Sequence, residues 1–315
     1  MQLLRKLDSS NHFSKGSVVT VGNFDGVHRG HQALLTQLKH EAERRSLPSV
    51  LLLFEPQPSE FFYGLQAPAR LTCLREKLAL LKKHVDYVGC LRFNASLAAL
   101  PAEIFVEKYL LTLLRAEYLL VGNDFRFGSA RQGDRRLLEK LMQEDGNRQV
   151  EFFPDFFIKN ERISSTKIRE ALQAGDLQSA SALLGRTFSL SGHVVRGAGR
   201  GGQWGIPTAN VHIRRAVLPL RGVFAVKVLA EGQWLKGVAN IGTRPTVQGV
   251  ENTLEVHLLD FTGNLYGKLI QVFFSDKLRD EIKFPSIKEL LDQIHADIVL
   301  AGKRLKQKEC CECIE

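Results

Sequence analysis

Two kinds of hydrophobic spacing follow one another along the chain. Up to about residue 185, short apolar runs alternate with amphipathic stretches of helical period; beyond it the period falls to two. Ser17 to Val21 is a β-branched apolar run, Gly22 to Gly26 a turn of small and polar residues, and from His28 a helical pattern opens. It continues to about Arg45 with Leu34, Leu35 and Leu38 on one face. Ser49 to Phe54 is then a strand ended by Pro56 and Pro58, Leu74 to Leu81 a helix, and Asp86 to Leu91 a strand. Pro101 to Leu114 is a helix with proline at its start, and Glu117 to Gly122 a strand. This alternation predicts a Rossmann-like α/β domain, a parallel sheet with helices on both faces.

The period changes near Leu183 to Arg186. Strands are predicted over Ser189 to Val195, Thr208 to Ile213, Val223 to Leu229, Trp234 to Ile241, Asn252 to Leu259 and Ile270 to Phe274. Turns separate them, as in a small antiparallel barrel. A last helix from Ser286 to Lys306 carries Leu290, Ile294, Ile298, Ala301 and Leu305 at helical spacing and should pack on that barrel. The expected division is therefore an N-terminal domain over 1–185, a C-terminal domain over 186–306 and a mobile tail over 307–315.

Composition adds bounds. At 315 residues, with 44% hydrophobic and 24% charged, the chain suits two soluble globular domains. No apolar run approaches a membrane span, and M-Q-L-L-R-K-L-D-S-S lacks a signal-peptide core, so a cytoplasmic protein is expected. Five cysteines do not suggest a disulfide framework. Cys73 and Cys90 are expected as buried thiols, and Cys310, Cys311 and Cys313 as part of the tail rather than a zinc site. A net charge of +9 suits nucleic acid, a membrane surface or polyphosphate ligands. The basic residues are spread along the chain rather than gathered in one run, which weakens the nucleic-acid alternative.

The candidate chemistry begins at the first turn. Gly22, Asn23, Phe24 and Asp25 lie between a strand and a helix N-terminus, where unpaired N–H groups and the helix dipole favour an anion. His28 and His31 share the face of the first helical turn and can donate to phosphate oxygens. The stretch is neither a Walker loop nor G-x-G-x-x-G. It has the H-x-G-H form of the nucleotidylyltransferases; two capping histidines or a two-His metal site are the alternatives. In Val121 to Gly128, Asn123 and Asp124 are placed for ligand contact, Arg126 offers a phosphate fork, and Phe125 and Phe127 should pack inward. In I-S-S-T-K-I-R, Ser164 or Ser165 can cap a helix to Gln173, while Ser165, Thr166 and Arg169 could hold a triphosphate.

Together, G-N-F-D-G-V-H-R-G-H, V-G-N-D-F-R-F-G and I-S-S-T-K-I-R resemble the adenylyltransferase module of the prokaryotic bifunctional riboflavin kinase/FMN adenylyltransferases (FAD synthetases). The resemblance implies that Asn123 and Asp124 contact flavin. Gln57 departs from it, since the family usually has histidine there.

In the second half, Thr208 and Asn210 are two apart on an extended segment and offer hard oxygens for Mg²⁺ bridging ATP phosphates. Leu254, Val256 and Leu258 alternate onto one face, so Glu255 and His257 point the other way. By spacing alone Glu255 is a solvated strand residue. However, G-I-P-T-A-N, G-V-A-N-I-G-T-R-P-T-V and L-E-V-H-L-L-D-F resemble the kinase module of the same family. That likeness implies that Pro207, Thr208 and Asn210 serve nucleotide and metal, and that Glu255 is the base. Gly197, Gly199, Arg200 and Gly201 belong to a loop whose N–H groups could cradle phosphates. The family commonly has a basic residue where Gly202 stands; Arg200 is two positions earlier.

The resemblance implies riboflavin, FMN and ATP as substrates, Mg²⁺ as cofactor, no nucleic-acid or membrane partner, and a monomer or weak homo-oligomer. Two rivals stay open: an enzyme whose kinase has drifted through Gly202, and a basic nucleic-acid-binding protein on this scaffold.

Overall fold

The computed structural model describes residues 1–5, 7, 11–143, 148–158, 160–197, 199–246 and 249–312. Packing divides the chain into two units: Met1–Pro68 with Leu74–Ser164, and Ala69–Cys73 with Ser165–Glu315.

The first unit holds strands β1 (Gln2–Leu4), β2 (Ser17–Val21), β3 (Ser49–Glu55), β4 (Tyr87–Arg92), β5 (Ala116–Gly122) and β6 (Gln149–Phe153). They form one sheet in the order β1-β4-β3-β2-β5-β6, parallel at every pairing. Its helices are α1 (Arg29–Arg45), α2 (Pro58–Tyr63), α3 (Leu74–Leu81), α4 (Ala95–Ala98), α5 (Ala102–Phe105), continued by π turns over Val106–Leu113, and α6 (Arg135–Gln143). A hairpin of β7 (Phe157–Ile158) and β8 (Glu161–Arg162) follows β6.

Alternation along β2 divides the core. Val19 and Val21 join Leu52, Leu119 and Leu110 on one face of the sheet; Val18 joins Leu51, Leu35, Leu38 and Leu81 on the other. With both faces covered, ligands are left the carboxyl ends of the strands. The winding reverses between β2 and its neighbour β5, and in sheets of this kind ligands bind at such a switch point.

The strand and helix expectations for this half hold to within a residue or two. Elements with weak patterns escaped them. β1 has three residues, β6 is a partly exposed edge strand, and α2 starts on a proline that had suggested only a chain break. Cys73 and Cys90 are half-buried rather than buried, because Cys90 lies on β4 next to the edge and Cys73 in a connecting segment.

The second unit begins with α7 (Ser165–Ala174) and α8 (Leu177–Leu184), whose end is a left-handed Gly185. Strands β9 (Ser189–Val195), β10 (Ala209–His212), β11 (Gly222–Ala230), β12 (Gln233–Thr246), β13 (Gly249–Leu258) and β14 (Leu269–Arg279) close a barrel in the order β10-β13-β12-β11-β14-β9, antiparallel throughout. A short α9 (Arg200–Gln203) lies in the β9–β10 connection. Leu254, Val256, Ala239, Ile241, Phe224 and Phe274 are buried, with Phe224 and Phe274 meeting edge to face.

The last helix, α10 (Ile287–Glu312), places Ala301 and Leu305 on the outer-face residues Val223, Ala225 and Val238. It runs past Lys306 because K-Q-K-E is good helix-forming sequence even without an apolar face. The side chains of Cys310 and Cys311, and all of Cys313, lie outside the described residues. Asp297 of α10, with 4% of its side chain exposed, takes two Nε contacts of 3.0 and 3.1 Å and one Nη2 contact of 2.8 Å from Arg279 at the end of β14.

Removing one partner of such a pair strands the other charge, so Asp297→Ala should lower the stability of this unit by about 3–5 kcal/mol. Both tryptophans, Trp204 and Trp234, belong to it, so urea unfolding followed by their fluorescence reads it directly. An unshifted midpoint would mean that the pair does not dock α10.

Candidate active sites

The first site is the turn from β2 to α1. His28 is the N-cap of α1, with extended backbone, and its Nδ1 accepts the backbone N–H of His31 at 3.2 Å. With Nδ1 accepting, the ring's N–H is on Nε2. The rings of His28 and His31 stack at 3.6 Å between centroids, 13° from parallel, and Phe24 lies 4.6 Å from His31 on the ring side. Two imidazolium ions would repel each other at that separation.

Phe24, Asp25 and His28 are all buried, and the Nδ1 atom of His31 is buried without a partner. The room a Cβ would need at Gly22 is occupied by the Phe24 ring, and at Gly30 by the His28 ring. These glycines thus admit side chains to the turn. Below it, Lys77 of α3 is 1% exposed and donates from Nζ to the carbonyl of Asn23. A lysine inside an amphipathic helix gives no sign of burial in the sequence, and Lys77 was missed.

Burial first, and then the charges of His28 and Lys77, hold the His31 imidazole well below its ordinary value. His31 is therefore a neutral polar group in the resting protein.

At the end of the adjacent strand, Asn123 and Asp124 are exposed. Asp124 pairs with Arg162 of β8 at 3.2 Å, and Arg162 also reaches Asp155 at 2.9 Å. Phe127 is buried and stacks with Phe125 at 5.5 Å, as their inward packing requires. Arg126 lies 3.8 Å from Asp134. Beyond β3, Phe61 and Phe62, 41% and 59% exposed, cluster with Phe93; they too escaped the sequence reading. Gln57, 4% exposed, is the N-cap of α2, and its Nε2 has no hydrogen-bond partner. Ser164 ends the first unit, while Ser165, Thr166 and Arg169 occupy the opening turns of α7 in the second, where Arg169 Nε donates to the carbonyl of Ala69.

The second site is on the outer face of the barrel. Leu254, Val256 and Leu258 are buried, which turns Glu255 and His257 outward as expected. Glu255 sits directly across from Asn210 of β10 on one side and Asn240 of β12 on the other. His257 donates from Nδ1 to the carbonyl of Pro207 at 2.8 Å, tying β13 to the turn that carries Thr208. A Cβ at Gly197 would run into the Asn210 amide, so glycine lets the two approach without either shifting. The Gly197–Gly202 loop is thereby pressed against Asn210 and, through Gly201, against the carbonyl of Ile206. Gly202 is exposed, and a Cβ there would meet nothing within 4 Å. Ala198 and the side chain of Arg200 lie outside the described residues.

Thr208 and Asn210 supply neutral oxygens, and no cluster of three His, Cys, Asp or Glu ligands occurs among the described residues. This donor set fits a hard cation held mostly by substrate phosphates and water. Among the same residues no helix is long and apolar enough to cross a membrane.

A parallel sheet with a histidine pair at its switch point, and a barrel with a carboxylate near a glycine-rich loop, are features that suit a two-module nucleotide-dependent transferase. The FAD synthetase family profile matches residues 10–167 and the riboflavin kinase profile residues 184–305. The bifunctional riboflavin kinase/FMN adenylyltransferase of Escherichia coli K12 is 50% identical over 304 residues, 96% of this chain and 97% of that protein. The protein of the same description from Haemophilus influenzae is 46% identical over 303 residues, 96% and 98% of the two chains. A crystal structure described as a macrolide-efflux protein from Streptococcus pneumoniae matches at a TM-score of 0.79 and 30% identity, covering 94% of this chain and 97% of that one. The chain belongs to the bifunctional riboflavin kinase/FMN adenylyltransferase family.

The depressed His31 has a consequence for stability. Below about pH 6.5 the unfolded chain binds a proton at this position that the folded chain refuses. The stabilisation is complete above that pH and is lost as the pH falls below it. His84, lowered by burial and by Lys39, acts in the same sense. His31→Gln should flatten the acid limb by up to about 1.4 kcal/mol per pH unit, measured by urea unfolding of the first unit across that range. An unchanged slope would show that His31 titrates normally.

Proposed function

We propose that the chain makes FAD from riboflavin in two ATP-dependent steps, one in each module. The observation that carries this reading is the pairing of Glu255 with Asn210, whose amide lies against the Gly197–Gly202 loop. On this reading Glu255 is the base and the neighbouring loop the cradle for the donor phosphates. Glu255 accepts the proton of the terminal ribityl hydroxyl as that oxygen attacks the γ-phosphorus of ATP; FMN forms and ADP leaves. Bound Mg²⁺ would neutralise charge on the ATP phosphates, with Thr208 and Asn210 holding it together with the nucleotide.

In the parallel-sheet module, an FMN phosphate oxygen attacks the α-phosphorus of a second ATP, giving FAD and pyrophosphate. That nucleophile is already ionised, so the module needs donors rather than a base. Nε2–H of His28, the first N–H groups of α1 and neutral His31 face charge that grows on the transferred and leaving phosphates. Gly22, Asn23, Phe24 and Asp25 shape the turn around them, and Ser164, Ser165, Thr166 and Arg169 are further candidates for nucleotide contact. Asn123 and Asp124 hold flavin, and the exposed rings of Phe61 and Phe62 offer faces for its planar ring system. The functional boundary is put at Gly185, at the end of α8 and before β9. The protein works without nucleic acid or membrane, as a monomer or weak homo-oligomer in the cytoplasm.

The test follows purified protein with riboflavin, ATP and Mg²⁺ and separates the flavins over time. His28→Ala should slow FAD formation from supplied FMN by about 10²–10⁴-fold with FMN formation kept, and Glu255→Ala should do the reverse. Equal losses of both activities in either variant would refute the division of labour. Gly202→Lys, which the open space admits, should lower the kinase KM for ATP by restoring a phosphate-facing cation. No change in that KM would show that the loop's backbone suffices.

A further inference from the structure

Asn240 was singled out by no sequence argument beyond its place in a motif. On β12 it stands directly opposite Glu255, as Asn210 does from β10, so the three side chains leave one face in a single row across adjacent strands. Directly opposed residues have Cβ atoms about 4.5–5.5 Å apart. The Oδ1 atom of Asn240 is buried and has no hydrogen-bond partner. A buried acceptor left unpaired is destabilising, and an ionised Glu255 cannot relieve it, being an acceptor itself. What Asn240 Oδ1 lacks is a donor.

The row also has a direction. The phosphate loop packs against Asn210 at one end, so the donor phosphate approaches from that side and reaches the base in the middle. In-line transfer then requires the rest of the acceptor molecule to extend over the other end, where Asn240 lies. A polyol chain passing there presents hydroxyl donors in succession.

We propose that Asn240 is a specificity residue of the kinase, its Oδ1 accepting a hydrogen bond from the ribityl hydroxyl next to the one phosphorylated. The inference rests on the placement of Glu255 as base. It explains the orphaned acceptor: the substrate completes it. An acceptor alcohol without that vicinal hydroxyl leaves Oδ1 buried and unpaired in the complex, and sites of this kind discriminate strongly against the analogue lacking the donor.

The test is a cycle that combines Asn240→Ala with 4′-deoxyriboflavin. With the native protein, loss of the 4′-hydroxyl should lower kcat/KM for phosphorylation by about ten- to a hundredfold. Asn240→Ala should lose a similar factor with riboflavin, through its KM, while the KM for ATP and the formation of FAD from supplied FMN stay unchanged. With the variant, riboflavin and 4′-deoxyriboflavin should then differ by less than about threefold, since one interaction cannot be lost twice. Multiplicative losses, or a variant within about twofold of the native protein on riboflavin, would overturn the assignment. Glu255→Gln separates this from the parent reading. It should lower kcat for both flavins while riboflavin binding, followed by flavin fluorescence, still discriminates between them. An undiminished kcat in Glu255→Gln with that discrimination intact would remove the base and leave Asn240 in place.

Discussion

Successive residues of a strand leave on opposite faces, and both halves of this molecule depend on that constraint. In β2 it sends Val19 and Val21 to one core and Val18 to the other, so helices cover both faces and function is confined to the strand ends. In β13 the same alternation commits Leu254, Val256 and Leu258 to the interior and leaves Glu255 and His257 outside, where Asn210 and Asn240 flank the carboxylate. A shift of one residue in the β12–β13–β10 register would bury the carboxylate and dismantle the row.

The two sites handle phosphate differently. In the proposed scheme the first would use a helix N-terminus with a stacked imidazole pair, His28 buried and His31 partly so, near the buried Lys77 ammonium, a setting in which little has to reorganise when charge develops. The second keeps a carboxylate half exposed beside neutral amides and a backbone loop, which leaves room for a cation and a hydroxyl to be brought together by the substrates themselves. The first chemistry displaces pyrophosphate with an ionised nucleophile and calls for donors. The second activates an alcohol and calls for an acceptor.

Much of this was legible in the chain. The β-branched run at Ser17–Val21, the amphipathic α3 and the alternation in β13 each carry a strong local period, and their bounds or faces follow from it. The histidine pair was visible because three-residue spacing at a helix start is a local fact. What escaped depends on partners far away in sequence. Lys77 becomes a site residue only because the β2–α1 turn lays a carbonyl on it, and Asn240 only because β12 pairs with β13 in that register. The π continuation of α5 and the edge strand β6 have no distinctive residue pattern, and tertiary packing decides them.

The central claim is that two different bonds of ATP are broken in two modules, and label position tests it most directly. Incubated with riboflavin, Mg²⁺ and γ-³²P-labelled ATP, the protein should place label in FMN, in FAD and in the pyrophosphate released. With α-³²P-labelled ATP it should leave FMN unlabelled and label FAD alone among the flavins. Label from the α position in FMN, or FAD formed without any γ-derived label, would contradict the account.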